Sequence, residues 1–242
     1  MGAVHAEDTG IVSSDIVGYQ GITVTAGKLH CVGLQFGDVG ADGELSISSL
    51  ATSNISAGLW ESMSTDAPCI MIYNGSSYDY YYYISDAGEN YDETGWADGD
   101  GNIVTATEPV GSGLWLRIPE GMAENGKITE AGKVESADTV TLTISQGLTL
   151  GSNPYPMSLD MSKVTTVGLA PGLWETMSTD APCLMIYNGS SYDYYYYISD
   201  AGENYDETGW ADGDGNLVTT VASAGEAFWL RTSSTGTLTF SK

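Results

Sequence analysis

Residues 58–105, GLWESMSTDAPCIMIYNGSSYDYYYYISDAGENYDETGWADGDGNIVT, return at 172–219 with three changes: Ser62 becomes Thr176, Ile70 becomes Leu184 and Ile103 becomes Leu217. A repeat this faithful fixes the architecture before any single residue is read, because a fold, surface or ion site built by one copy should exist twice. The echo reaches further back, since Ser136-Ala137-Asp138-Thr139-Val140 parallels Ser13-Ser14-Asp15-Ile16-Val17. The 242 residues then divide into units of ordinary domain size. The expected plan is an N-terminal arm or signal remnant at 1–12, a first β domain at 13–118, a linker at 119–135 and a second β domain at 136–242.

Within the block, Pro68–Tyr73 reads as a strand, Asn74-Gly75-Ser76-Ser77 as a tight turn and Tyr78–Ser85 as the returning partner. Asn-Gly between two such runs is a strong hairpin signal. The copy runs Cys183–Tyr187, Asn188-Gly189 and Tyr192–Ser199. Further strands are expected at 16–19, 21–25, 29–34, 103–105, 113–117, 141–144, 217–219, 227–231 and 236–240. Helical periodicity is nearly absent. A short helix over Glu120–Lys133 is weakened by Gly121, Gly126 and Gly132. Many short strands with Gly-rich turns predict an all-β protein, two tandem β-sandwich or barrel-like domains from an internal duplication.

Charge narrows the partners. Seven basic residues against 32 acidic ones give a formal charge of −25, which argues against nucleic acid, whose phosphates need clustered Lys and Arg. The apolar runs are too short for membrane insertion. Three cysteines make no even disulfide framework, and Cys69 and Cys183, inside apolar runs, read as buried free thiols. Val4-His5-Ala6 before Glu7 has the small-residue pattern of a signal-peptidase site. The expected location is therefore secreted, extracellular or at the cell surface.

Both ends of the duplicated unit carry a resemblance. Ile16-Val17-Gly18-Tyr19 with Ile22-Thr23-Val24-Thr25-Ala26-Gly27, and Ala224-Gly225-Glu226-Ala227-Phe228-Trp229-Leu230-Arg231 before Gly236-Thr237-Leu238-Thr239-Phe240, resemble exported tandem-repeat β-rich surface proteins of unassigned role from environmental and gut bacteria. The resemblance implies an exported or surface protein and carries over no catalytic residue.

Two constellations invite a functional reading. The acidic loop from Asp86 ends in Asp98-x-Asp100-x-Asn102, oxygen ligands at every second residue with glycines between. That pattern suits Ca²⁺, which takes six to eight oxygens, so Asp98, Asp100, Asn102 and their copies Asp212, Asp214, Asn216 are candidate ligands. The alternative is a solvated turn in which Asp and Asn serve the backbone. An EF-hand is excluded, because Ile103 stands where the sixth-place glycine belongs. In the tyrosine run, Tyr80 and Tyr82 must face opposite to Tyr81 and Tyr83. One face is expected in the core. The other, Tyr78, Tyr80 and Tyr82 with Tyr192, Tyr194 and Tyr196, is expected to present an aromatic stripe for a protein interface or a sugar ring. Trp96 and Trp210, lying inside the acidic loops, are expected to cap a binding surface or pin the loop. The other tryptophans are assigned to the core.

Enzyme chemistry finds no foothold. His5 and His30 are the only histidines and neither is repeated, so no His-based triad or zinc site is duplicated. The reading is a non-enzymatic structural protein that self-assembles into an extracellular or cell-surface filament or layer, a homo-oligomer or homopolymer with Ile11 and Val12 of the arm as apolar anchors. The alternatives are a carbohydrate-binding or adhesive module and a monomeric calcium-binding accessory domain.

Overall fold

The computed structural model describes residues 16–39, 43–203 and 205–242. The arm, with Ile11 and Val12, lies outside the described residues. The first half contains β1 (Val17–Val24), β2 (Lys28–Gly33), β3 (Phe36–Gly37), β4 (Glu44–Ser46), β5 (Ala51–Ile55), β6 (Cys69–Tyr73), β7 (Tyr78–Ala87), β8 (Glu93–Ala97), β9 (Thr107–Pro109), β10 (Gly113–Ile118) and β11 (Ala123–Val134). The second contains β12 (Thr139–Ile144), β13 (Gly147–Ser152), β14 (Leu159–Asp160), β15 (Val164–Val167), β16 (Cys183–Tyr187), β17 (Tyr192–Ala201), β18 (Glu207–Ala211), β19 (Thr220–Ala222), β20 (Ala227–Thr232) and β21 (Gly236–Ser241). The protein is all-β, its small antiparallel sheets arranged like the blades of a four-bladed propeller.

Each half has an outer sheet and a five-stranded inner one. The outer sheets are β1-β11-β3, with β5 also on β11, and β12-β21-β15; the inner sheets run β2-β10-β6-β7-β8 and β13-β20-β16-β17-β18. One core lies between the sheets of each half. Val24 and Ile128 meet Val32, Ile70 and Leu116 in the first, while Ile144, Leu238 and Phe240 meet Leu184, Phe228 and Leu230 in the second. The hairpins fold as the turn chemistry requires. Asn74 Oδ1 accepts from the Ser76 and Ser77 N–H groups, and Gly75 takes a φ of 97°, open to glycine without steric cost.

The sequence-based plan needs three corrections. The expected linker at 119–135 is mostly β11, which bonds β1, β3 and β5 at the centre of the outer sheet. Residues 103–105 and 217–219 form only isolated bridges, Ala97 to Ile103 and Ala211 to Leu217; the strands that follow, β9 and β19, start later. Trp60–Asp66 and Trp174–Asp180 wind into a 3₁₀ turn followed by one α turn, α1 (Met63–Asp66) and α2 (Met177–Asp180).

Nor are the halves separate bodies. The outer-facing residues of the two inner sheets share one aromatic layer, with Trp115, Leu150, Ala227 and Trp229 at its centre. Its contacts are reciprocal. Tyr73 meets Trp229 edge-on at 5.0 Å, and the equivalent pair, Tyr187 and Trp115, meets at 5.1 Å. Gly33 N–H donates to Gly225 O at 2.8 Å, and Ser152 N–H donates to Gly111 O at 2.7 Å. Such reciprocity is the signature of an isologous dimer interface, here built inside one chain. Each ring pair adds about 0.5–1.5 kcal/mol beyond the area it buries.

Candidate functional site

The tyrosine run alternates as strand geometry demands. Tyr81 and Tyr83 pack on the first core, and Tyr195 and Tyr197 on the second. The opposite face has three environments along one strand. Tyr78 lies in the shared aromatic layer, Tyr80 is 46% exposed, and Tyr82 joins a small cluster with Trp60 and Met63 over Ala67, Ile84 and Ala97. Tyr192, Tyr194 and Tyr196 repeat the series, with Tyr194 exposed. Burial holds the phenols of Tyr78 and Tyr192 above their ordinary range, helped by groups that include Tyr192 beside the first and Cys31 beside the second. The aromatic stripe is therefore largely consumed within the chain, and only its middle rung faces solvent.

Trp96 and Trp210 do not form a binding surface. Both are buried, Trp96 at 2% exposure and Trp210 at 4%, because β8 and β18 alternate them inward, against Tyr83 and Tyr197. The tryptophans at the acidic loops are Trp60 and Trp174, which sequence reasoning assigned to the core. Each pairs with an exposed loop tyrosine, Trp60 with Tyr91 at 5.9 Å and Trp174 with Tyr205 at 6.0 Å. Tyr91 and Tyr205 hold φ near 57° and 55°, uncommon for a bulky side chain. Asp86 and Asp200 fix the preceding turns, each accepting from its tryptophan's backbone N–H at 2.8 Å. Exposed Leu59 and Leu173 extend the two patches. The leucine before each tryptophan, in a segment without strand alternation, was the available signal.

In the acidic loop, Asp98 organises a turn around its own carboxylate. Oδ1 accepts from the Asp100 N–H at 2.9 Å and the Asn102 N–H at 3.0 Å, and Asn102 Nδ2 donates to both oxygens. Asp212, Asp214 and Asn216 repeat this bond for bond. The turn thus brings Asp98 and Asn102 together and engages Asp100 through its backbone. Among the described residues, no three His, Cys, Asp or Glu side chains group closely enough to hold a metal ion.

A buried polar group escaped sequence reasoning entirely. Glu130 has no exposed surface, and its Oε1 accepts from Gln35 N–H at 2.6 Å and Phe36 N–H at 2.7 Å. Burial pushes its carboxyl up to about 7, the two backbone N–H groups pulling the other way. Gln35, also fully buried, donates its Nε2 to Tyr155 O at 2.8 Å and Asn153 O at 3.3 Å in the second half.

The thiols are free, with Cys69 and Cys183 buried and each pushed up to about 11 by burial. No helix among the described residues is long and apolar enough to cross a membrane. No protein family, curated protein or solved structure matches the chain.

Proposed function

We propose that the protein is structural, its copies joining edge to edge through β1 into an extracellular or cell-surface filament or layer. One observation carries this reading. β1 is an eight-residue edge strand, paired in a sheet among the described residues only with β11, and the exposed Ile16, Val17 and Tyr19 lie at and just before its start, Tyr19 at 80%. Natural sheets shield such edges with charge, proline, bulges or brevity. β1 has none of these, whereas β8 and β18 begin with glutamate and pair through a bulge, and β15 has four residues. An open edge of this kind accepts a strand from a neighbour.

The test is sedimentation velocity and electron microscopy across a concentration series, with Val17→Lys/Tyr19→Lys as the edge-blocked variant. Wild type should grow with concentration and the variant should stay monomeric with an unchanged β circular-dichroism spectrum. Wild-type protein that is monomeric throughout would falsify the reading.

A second reading, a carbohydrate-binding or adhesive module, is favoured by the Trp60/Tyr91 and Trp174/Tyr205 pairs, in which Tyr91, Trp174 and Tyr205 are exposed and Trp60 is half-buried, since such rings stack on sugar faces and the neighbouring carboxylates accept from hydroxyls. Retention on polysaccharide columns that disappears in Trp60→Ala/Trp174→Ala would support it; retention unchanged by the substitutions would remove it.

A further inference from the structure

Among the described residues, three side-chain oxygens are buried without a hydrogen-bond partner, Gln20 Oε1, Gln35 Oε1 and Glu130 Oε2. They belong to one neighbourhood of the fold. Gln20 on β1 is directly opposite Glu130 on β11, and Gln35, just before β3, is bonded to Glu130 through its backbone. All three oxygens are acceptors, so none can satisfy another, and a buried acceptor left without a donor is costly. The amide nitrogens of the two glutamines are used otherwise, as clips across the seam: Gln20 Nε2 donates to Ala224 O at 3.1 Å, and Gln35 Nε2 to Asn153 O and Tyr155 O. The one group able to supply a missing donor is Glu130 itself, by carrying a proton on Oε2.

We propose that Glu130 is a proton-operated latch on the seam between the two halves, closed when its carboxyl is protonated and loosened when it is ionised. Protonated, Oε2 becomes a donor and the site carries no net charge. Ionised, it places a full negative charge where burial is complete and, among the described residues, no cation answers it. β1 and β5 carry no charged residue, β3 is Phe36-Gly37, and the facing 152–155 segment is Ser-Asn-Pro-Tyr. The titratable side chains among these are Tyr155, whose hydroxyl donates to Ala137 O, and Tyr19, which is exposed on the face of β1 opposite Gln20. Lys127 and Lys133 on β11 alternate to the opposite face of the sheet from Glu130. The charge is relieved by opening the approach of Gln35 and Phe36, which releases the Gln35 clip on the second half.

The carboxyl sits near 7 in the closed state and near 4.3 when open to water. Its raised value means the closed state is fully favoured below the open-state value and loses that advantage as pH rises through 7. Hydrogen exchange at residues 33–37 and 153–157, corrected for the intrinsic pH dependence of exchange, reads the latch directly. Wild-type opening should rise by about tenfold or more from pH 5 to pH 8 and level off above it. Glu130→Gln, neutral at every pH, should show no step. Gln35→Met, which cuts the clip and leaves the carboxyl, should keep the step at 33–37 and lose it at 153–157, and serves also if Glu130→Gln fails to fold. His30→Gln should retain both steps, because among the described residues the His30 imidazole bonds only to Thr25. A flat wild-type profile, or a step that survives in Glu130→Gln or vanishes in His30→Gln, overturns the proposal.

Discussion

The two halves share a 48-residue block with three substitutions, yet differ at two points where equivalent positions meet across the seam. Gly33 in the first half faces Ser152 in the second, and a Cβ on Gly33 would collide with the Ser152 side chain. Gly113 faces Ala227 in the same way, with a Cβ there falling 2.9 Å from that of Ala227. The pairs 33/152 and 113/227 are equivalent positions meeting across the seam, and in each the first half has the glycine. A dimer of identical halves would set glycine against glycine, leaving a gap, or two larger residues against each other. Fusing the halves lets one side yield and the other fill. The faces turned away from the seam diverge too: Val17 and Tyr19 are exposed on β1, whereas the exposed positions of β12 are Thr139, Thr141 and Thr143.

The largest effect should come from breaking the contrast between the faces of β7. Tyr81→Ala with Tyr83→Ala strips two aromatics from the first core and should cost about 4 kcal/mol or more. Tyr80→Ala, at a half-exposed rung, should stay within about 1 kcal/mol. Urea denaturation measures both, and similar midpoint losses would show that the two faces are equally buried in solution.

The seam comes next. Gly33→Ala should cost about 1–3 kcal/mol by overpacking, and adding Ser152→Gly should recover more than half of it. Ser152→Gly alone loses the hydroxyl's bond to Ser112 O at 3.0 Å, worth about 1 kcal/mol. The interaction energy from this double-mutant cycle is the direct measure of contact between the halves; additive losses would mean the seam is open in solution.

Local signals made much of this legible in the sequence. The Asn74-Gly75 hairpin, the alternation of Tyr80 to Tyr83 and the all-β class follow from turn chemistry and a period of two. What stayed hidden depends on contacts remote in sequence. Gly126 and Gly132 read as breakers, but in β11 they mark close approach: a Cβ on Gly132 would strike the Gly37 backbone, and one on Gly126 would fall 2.9 Å from both Ala123 and Ile55 side chains. Glycine inside a strand often has this meaning. Trp96 was read by the company it keeps, an acidic loop, when its strand position sends it inward. Glu130 looked like one more of the chain's many acids, and nothing local distinguishes it.

The block also meets different surroundings in its two copies. Trp96 Nε1 donates to Leu50 O at 3.0 Å, whereas Trp210 Nε1 is buried with no partner among the described residues. Trp→Phe leaves a similar cavity at each site, so the difference between the variants isolates the hydrogen bond. Trp96→Phe should cost about 1–2 kcal/mol more than Trp210→Phe, since only the first strands an acceptor and the second removes an unsatisfied donor. Equal losses in thermal unfolding would show that Trp210 finds a partner in solution.

The smallest expected difference is at the acidic turns, and there the comparison should vanish. Asp98 and Asp212 accept from the N–H groups two and four residues on at 2.9 and 3.0 Å in both copies. These bonds are built wholly from the loop's own residues, so the neighbouring half has no lever on them. Asp98→Ala and Asp212→Ala should each cost about 1 kcal/mol, equal within error. The same pair tests the calcium reading, because an ion held only by the folded state raises the melting temperature with the logarithm of its concentration. A rise on adding Ca²⁺ that halves in either single variant and disappears in the double variant would make these turns two equivalent cation sites. A flat response in wild type leaves each aspartate as what its bonds already make it, the organiser of a tight turn.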